Sequence, residues 1–211
     1  MYKETKSKLL ITYSIILIPV MIIIFSISTS LLGKTYGYFA GHALYIILIL
    51  LGIFFVSPIK IKSTSFQKYK ILYYSIAFLP VLATFFVAFL PAAKKLSFPV
   101  IIVTVLYAIF NSVSEELFWR YTYNAIYPDN IMLAYLIPTI LFSLLHFAFL
   151  FAKGMSYHGG VWALVGGASF MGFLWGLVMF KTKNIQVVVI AHALTNFFAF
   201  SQLIYENWFL F

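Results

Sequence analysis

The sequence predicts an all-α membrane protein, a polytopic transmembrane bundle of about seven helices. Three observations carry that prediction. The chain is 64% hydrophobic and only 9% charged, where soluble domains average about 45–50% apolar and about 25% charged. Its apolar residues come in runs of about 20, the length that crosses a bilayer. Its lysines fall between those runs rather than within them.

The runs lie at roughly 9–32, 38–57, 71–93, 98–126, 131–152, 160–180 and 185–205. The first follows the basic start "MYKETKSKLL". It is longer than the roughly 7–15 apolar residues of a signal peptide, and no A-x-A cleavage site follows, so it reads as an uncleaved span. The remaining runs are separated by "SPIKIKSTSFQKYK", "PAAKKLS", "YPDN", "KGMSYHGG" and "KTKN", none long enough for a soluble domain. The tail "SQLIYENWFLF" is too short for another full span but could lie in the interface, so the count ranges from six to eight. Residues 1–211 are read as one integral membrane domain, without internal repeats. In the sixth run, Ala168, Gly172 and Gly176 recur every four residues, a stripe that lets another helix approach closely.

Charge sets the orientation. With the N-terminus inside, nine lysines are cytoplasmic (Lys3, Lys6, Lys8, Lys60, Lys62, Lys68, Lys70, Lys181 and Lys183) and four are not (Lys34, Lys94, Lys95 and Lys153). That bias favours a cytoplasmic N-terminus in a multi-pass protein of the cell membrane. The net charge of +9 is therefore a matter of topology, and no nucleic-acid partner is expected. The chain has no cysteine, which excludes disulfides, thiolate metal sites and a cysteine nucleophile.

Polar groups inside lipid are the informative residues, because a charge at a helix centre costs at least about 2.5–3.5 kcal/mol. Two of only five acidic residues are adjacent, in "EELFWR". On a regular helix Glu116 and Arg120 stand four residues apart on one face and can pair. Glu115 points about 100° away from Glu116, so its partners must come from another span. His146 ends "FSLLH", and His192 and Asn196 stand four apart in "HALTN". Each of these taken singly could serve packing alone. A bundle that turns Glu115, His146, His192 and Asn196 into one cavity would hold the parts for peptide hydrolysis without a covalent nucleophile. Glutamate with histidine can activate water, and histidine with asparagine can donate to an oxyanion.

In this order "EELFWR", "FSLLH" and "HALTN" resemble the EExxxR, FxxxH and HxxxN motifs of the CPBP intramembrane proteases, the CAAX-processing and bacteriocin-processing family also called Abi. The stretch "GFLWGLVMFKTKNIQVVVIAHALTN" is similar as well, and the resemblance covers about 101–200. It implies an intramembrane endopeptidase. Carried over motif by motif, Glu115 and His146 would activate water, His192 and Asn196 would stabilise the oxyanion, and Glu116 with Arg120 would brace the site. No cofactor is expected. Zinc held by Glu115, His146 and His192 is the alternative, although the local HExxH arrangement is absent. The expected partners are a lipid bilayer and a peptide or membrane-protein substrate. A non-enzymatic immunity or scaffold protein using the same cavity is the second reading. A small transporter ranks last, because repeated halves and broken helices are missing.

Overall fold

A computed structural model describes residues 2–56 and 70–208. The connection carrying Lys60, Lys62 and Lys68, and residues 209–211 of the tail, lie outside the described residues. Among the described residues the structure is helical, with no strand.

The first 55 described residues form an unbroken helical register on paper, Tyr2–Val56, but Gly33 interrupts it at φ 75°, ψ 170°. That backbone region is open essentially to glycine alone. A straight helix would put Tyr13 and Leu48, 35 residues apart, about 50 Å from each other. Instead the Tyr13 hydroxyl donates to the Leu48 carbonyl at 2.6 Å. The chain therefore doubles back into a hairpin of α1 (residues 2–32) and α2 (residues 34–56). Glycines permit the close approach. A methyl on Gly37 would lie 2.4 Å from the Ser28 carbonyl oxygen, and one on Gly52 would lie 2.6 Å from the Tyr13 ring.

Five further helices follow: α3 (Ile71–Lys95), α4 (Phe98–Ile126), α5 (Met132–Phe151), α6 (Trp162–Thr182) and α7 (Ile185–Trp208). Among the described residues six helical stretches are long and apolar enough to cross a membrane. Because the first is the α1–α2 hairpin, the described residues hold seven apolar helical segments. The chain is an integral membrane protein with a helix-bundle fold. The tail continues α7 to Trp208 rather than forming a separate element.

Helix ends follow local chemistry. Pro99 opens α4, where a missing N–H costs nothing. Asn130 caps α5 by accepting from the Leu133 N–H at 3.0 Å. The turn "KTKN" is the tightest. Lys183 takes the left-handed conformation (φ 57°) that ends α6, and Asn184 caps α7 by accepting from the Gln186 and Val187 N–H groups. The Lys183 ammonium is directed to Asn124 Oδ1 at 3.1 Å and to the Pro128 carbonyl, which ties this turn to the end of α4. Partial burial pushes the Lys183 amine below its ordinary pKa.

The small stripe on α6 packs against α5. A methyl on Gly172 would lie 2.9 Å from the Phe142 ring, and one on Gly176 would lie 2.8 Å from the Tyr135 ring. α4 packs extensively against α7, and these two helices carry the first and third motifs.

Candidate active site

Part of α4 departs from regular helix. Glu116–Thr122 forms a wider π turn, and Glu116, Phe118, Trp119, Arg120 and Thr122 on it are all buried. Such turns recur at functional sites because they re-aim side chains without ending the helix.

Glu116 and Arg120 pair as expected, Oε1 to Nη1 at 3.0 Å, with both side chains at most 3% exposed. The guanidinium also lies over the Phe142 ring, 4.1 Å from its centroid, in a cation–π contact. The second motif thus contributes an aromatic platform for the cation of the first.

Glu115 is 1% exposed and reaches other helices, again as expected. Tyr45 of α2 donates its hydroxyl to Oε1 at 2.9 Å, and Trp119 Nε1 donates to the same hydroxyl at 3.3 Å. Oε2 has no hydrogen-bond partner within the protein and lies 3.5 Å from His192 Nε2.

The position of His192 differs from the sequence expectation. Rather than standing only with Asn196, its ring sits between the two glutamates. Nδ1 is 2.7 Å from Glu116 Oε1, and Nε2 faces Glu115. Trp175 stacks on the ring at 4.3 Å. Asn196, one turn on, donates to Ser112 Oγ of α4 at 2.9 Å.

His146 stands at the end of regular helix in α5, with Nδ1 2.8 Å from the Phe142 carbonyl. A carbonyl only accepts, so Nδ1 carries the proton and the neutral ring keeps its lone pair on Nε2. His42 on α2 repeats this arrangement, with Nδ1 3.2 Å from the Tyr38 carbonyl.

Glu115, His146, His192 and Asn196 line one cavity of about 530 Å³. His42, Tyr107 and Asn111 line it too. Glu116 and Arg120 lie behind its wall. The structure therefore brings together the four residues singled out in the sequence, and the bracing pair touches them through the Glu116 contact to His192.

The zinc alternative fares differently. Among the described residues no group of three or more His, Cys, Asp or Glu side chains is arranged to hold a metal ion. Glu115, His146 and His192, the ligands of that alternative, share the cavity, and His192 Nδ1 is engaged by Glu116.

Sequence reasoning missed Tyr45, Ser112 and Trp175, the residues that hold Glu115, Asn196 and His192. Only Ser112 carried a signal, as a hydroxyl one turn before Glu116 on the helix that holds the first motif.

Residues 97–198 match the Rce1-like family model, described as type II CAAX prenyl endopeptidase Rce1-like. Over that stretch, a little under half of the chain, the sequence is similar to that family. The match spans α4 to most of α7, so it contains all three motifs and omits the α1–α2 hairpin. No curated protein and no solved structure matches the chain. The Rce1-like match supports protease activity at the level of the family.

Proposed function

We propose that this protein is an intramembrane endopeptidase that hydrolyses a peptide bond with water activated by Glu115 and His146. The observation that carries this reading is the shared cavity, which collects one acid, two imidazoles and one amide from three helices. Glu115 Oε2 is buried, unpartnered and at the cavity wall, the condition expected of a base awaiting its water. His146 Nε2 supplies the second acceptor for that water.

The water attacks the peptide carbonyl and gives its proton to Glu115. His192, which donates through Nε2 only as an imidazolium because its Nδ1–H is held by Glu116, and the Asn196 amide stabilise the oxyanion, worth about 3–4 kcal/mol per well-placed donor. Glu116 holds His192 Nδ1 and so fixes the ring's direction. The C–N bond then breaks as Glu115 passes its proton to the leaving amine. These steps use no metal: were Glu115 a ligand, the neighbouring acid Glu116, already engaged by Arg120 and His192, would not be free to act as base. The protein lies in the cell membrane with its N-terminus cytoplasmic, on the distribution of lysines.

Comparative proteomics of membranes with the parent protein and with Glu115→Ala tests the reading and identifies substrates together. The Glu115→Ala protein should accumulate normally while processed peptides disappear. Cleavage by purified Glu115→Ala protein would remove Glu115 from the mechanism. Full biological activity of Glu115→Gln would favour a binding role over hydrolysis.

A further inference from the structure

The cavity has a closed end and an open end. Trp175 lines its floor, and the buried Glu116, Trp119 and Arg120 do not reach the cavity. Its mouth is the connection between α5 and α6, where Tyr157, His158 and Gly159 line it and the His158 side chain is 64% exposed.

That connection is anchored. Ser156 and Asn207 exchange two hydrogen bonds, at 2.7 and 2.8 Å, which tie it to the end of α7. The Lys153 N–H donates to Thr29 Oγ1 at 2.9 Å, and a methyl on Gly154 would lie 3.3 Å from Lys34 Cβ. The mouth therefore lies at the same end of the bundle as the Gly33 turn, opposite the N-terminus. This is the end with four lysines against nine.

The cavity is also slotted sideways. Near its floor α3 and α6 are joined, with Trp175 Nε1 donating to the Ala77 carbonyl at 3.0 Å. Nearer the mouth Ala83 and Val87 of α3 and Ala163 and Leu164 of α6 line the cavity, and Ala83, Val87 and Ala163 are exposed. A gap rimmed by apolar residues in the side of a membrane-spanning bundle admits a membrane-anchored chain, whereas a closed ring of helices would admit only a soluble peptide.

We infer that the site is loaded from the lysine-poor, non-cytoplasmic side, and that its substrates are membrane-anchored polypeptides whose scissile bond faces that side. The inference rests on the peptidase reading and on the lysine-derived orientation. It separates this chain from enzymes acting on cytoplasmic lipidated tails, a substrate that would have to reach Glu115 through the buried floor.

Because the native chain has no cysteine, one introduced thiol reports access unambiguously. Ala199→Cys places it inside the cavity, Lys94→Cys at the mouth end of α3, and Lys8→Cys at the opposite end. A membrane-impermeant maleimide should label the first two only in right-side-out vesicles and Lys8→Cys only in inverted ones. Labelling of Ala199→Cys from the Lys8→Cys side, or from neither side, would overturn the inference. New termini in the Glu115-dependent proteome should map to non-cytoplasmic segments, and cytoplasmic termini would overturn it equally. The labelling requires no cleavage, so loss of the peptidase reading leaves its result standing.

Discussion

Removing the Arg120 cation is the most direct challenge to the idea that one acid is a brace and the other is not. In Arg120→Met the volume is roughly kept but Glu116 loses its partner. The charges sit 3.0 Å apart with almost no exposure. At an effective dielectric near 20 their attraction is roughly 5–6 kcal/mol, an upper figure before desolvation is counted. Breaking a buried pair on one side costs about 3–5 kcal/mol. Glu116 keeps His192 Nδ1 at 2.7 Å, which places the expected loss at the lower end, about 3 kcal/mol. Glu116→Gln added to Arg120→Met removes the orphaned charge and should recover most of that loss. Reversible unfolding in mixed micelles of the parent, both single variants and the double variant gives the coupling energy. If Arg120→Met is as stable as the parent, or the double variant is no better than the single, the pair is not a brace.

The other predictions concern the residues around that pair. Tyr45→Phe removes the hydroxyl that donates to Glu115 Oε1 and orphans Trp119 Nε1, so kcat should fall about tenfold or more with KM unchanged, measured on purified protein. Gly33→Ala meets no atom within 4 Å, so its cost is backbone strain alone, about 1–3 kcal/mol in the same unfolding assay. Chelator treatment of active protein should leave the rate intact, and stoichiometric metal in active preparations would revive the zinc alternative.

The spans were legible because lipid imposes length. The expected 98–126 coincides with Phe98–Ile126, and 131–152 differs from Met132–Phe151 by a residue at each end. Glu115, His146, His192 and Asn196 were legible because polar groups in such spans need a reason. Tyr45 was not. The chain has 15 tyrosines, and tyrosine is at home in membrane spans, so nothing in composition distinguishes the one that meets Glu115. Nor was the bridging by His192 legible. Two adjacent acids on a regular helix diverge, which suggests separate partners. An imidazole presents two nitrogens on opposite sides of one ring and so can meet both acids, and a π turn begins at Glu116. Neither the turn nor the ring's placement leaves a trace in hydrophobic periodicity.

The Rce1-like segment does not enclose its own site. It begins at residue 97, yet the hydrogen bond to Glu115 Oε1 comes from Tyr45, and Tyr38 and His42 form part of the cavity wall. These residues are held by the hairpin that Gly33 allows. Phe25 of α1 packs on Tyr38 and His42 of α2 and on Phe149 of α5, all within one aromatic cluster. His42 in turn stacks on Phe149 at 4.9 Å. The α1–α2 hairpin is thus a wall of the site and a support for the acid, rather than an anchor appended to it. Divergence in the hairpin would change the cavity's shape and the hold on Glu115 while leaving all three motifs intact. For that reason the motifs alone assign a family, and the substrate has to be sought in the wall that the hairpin builds.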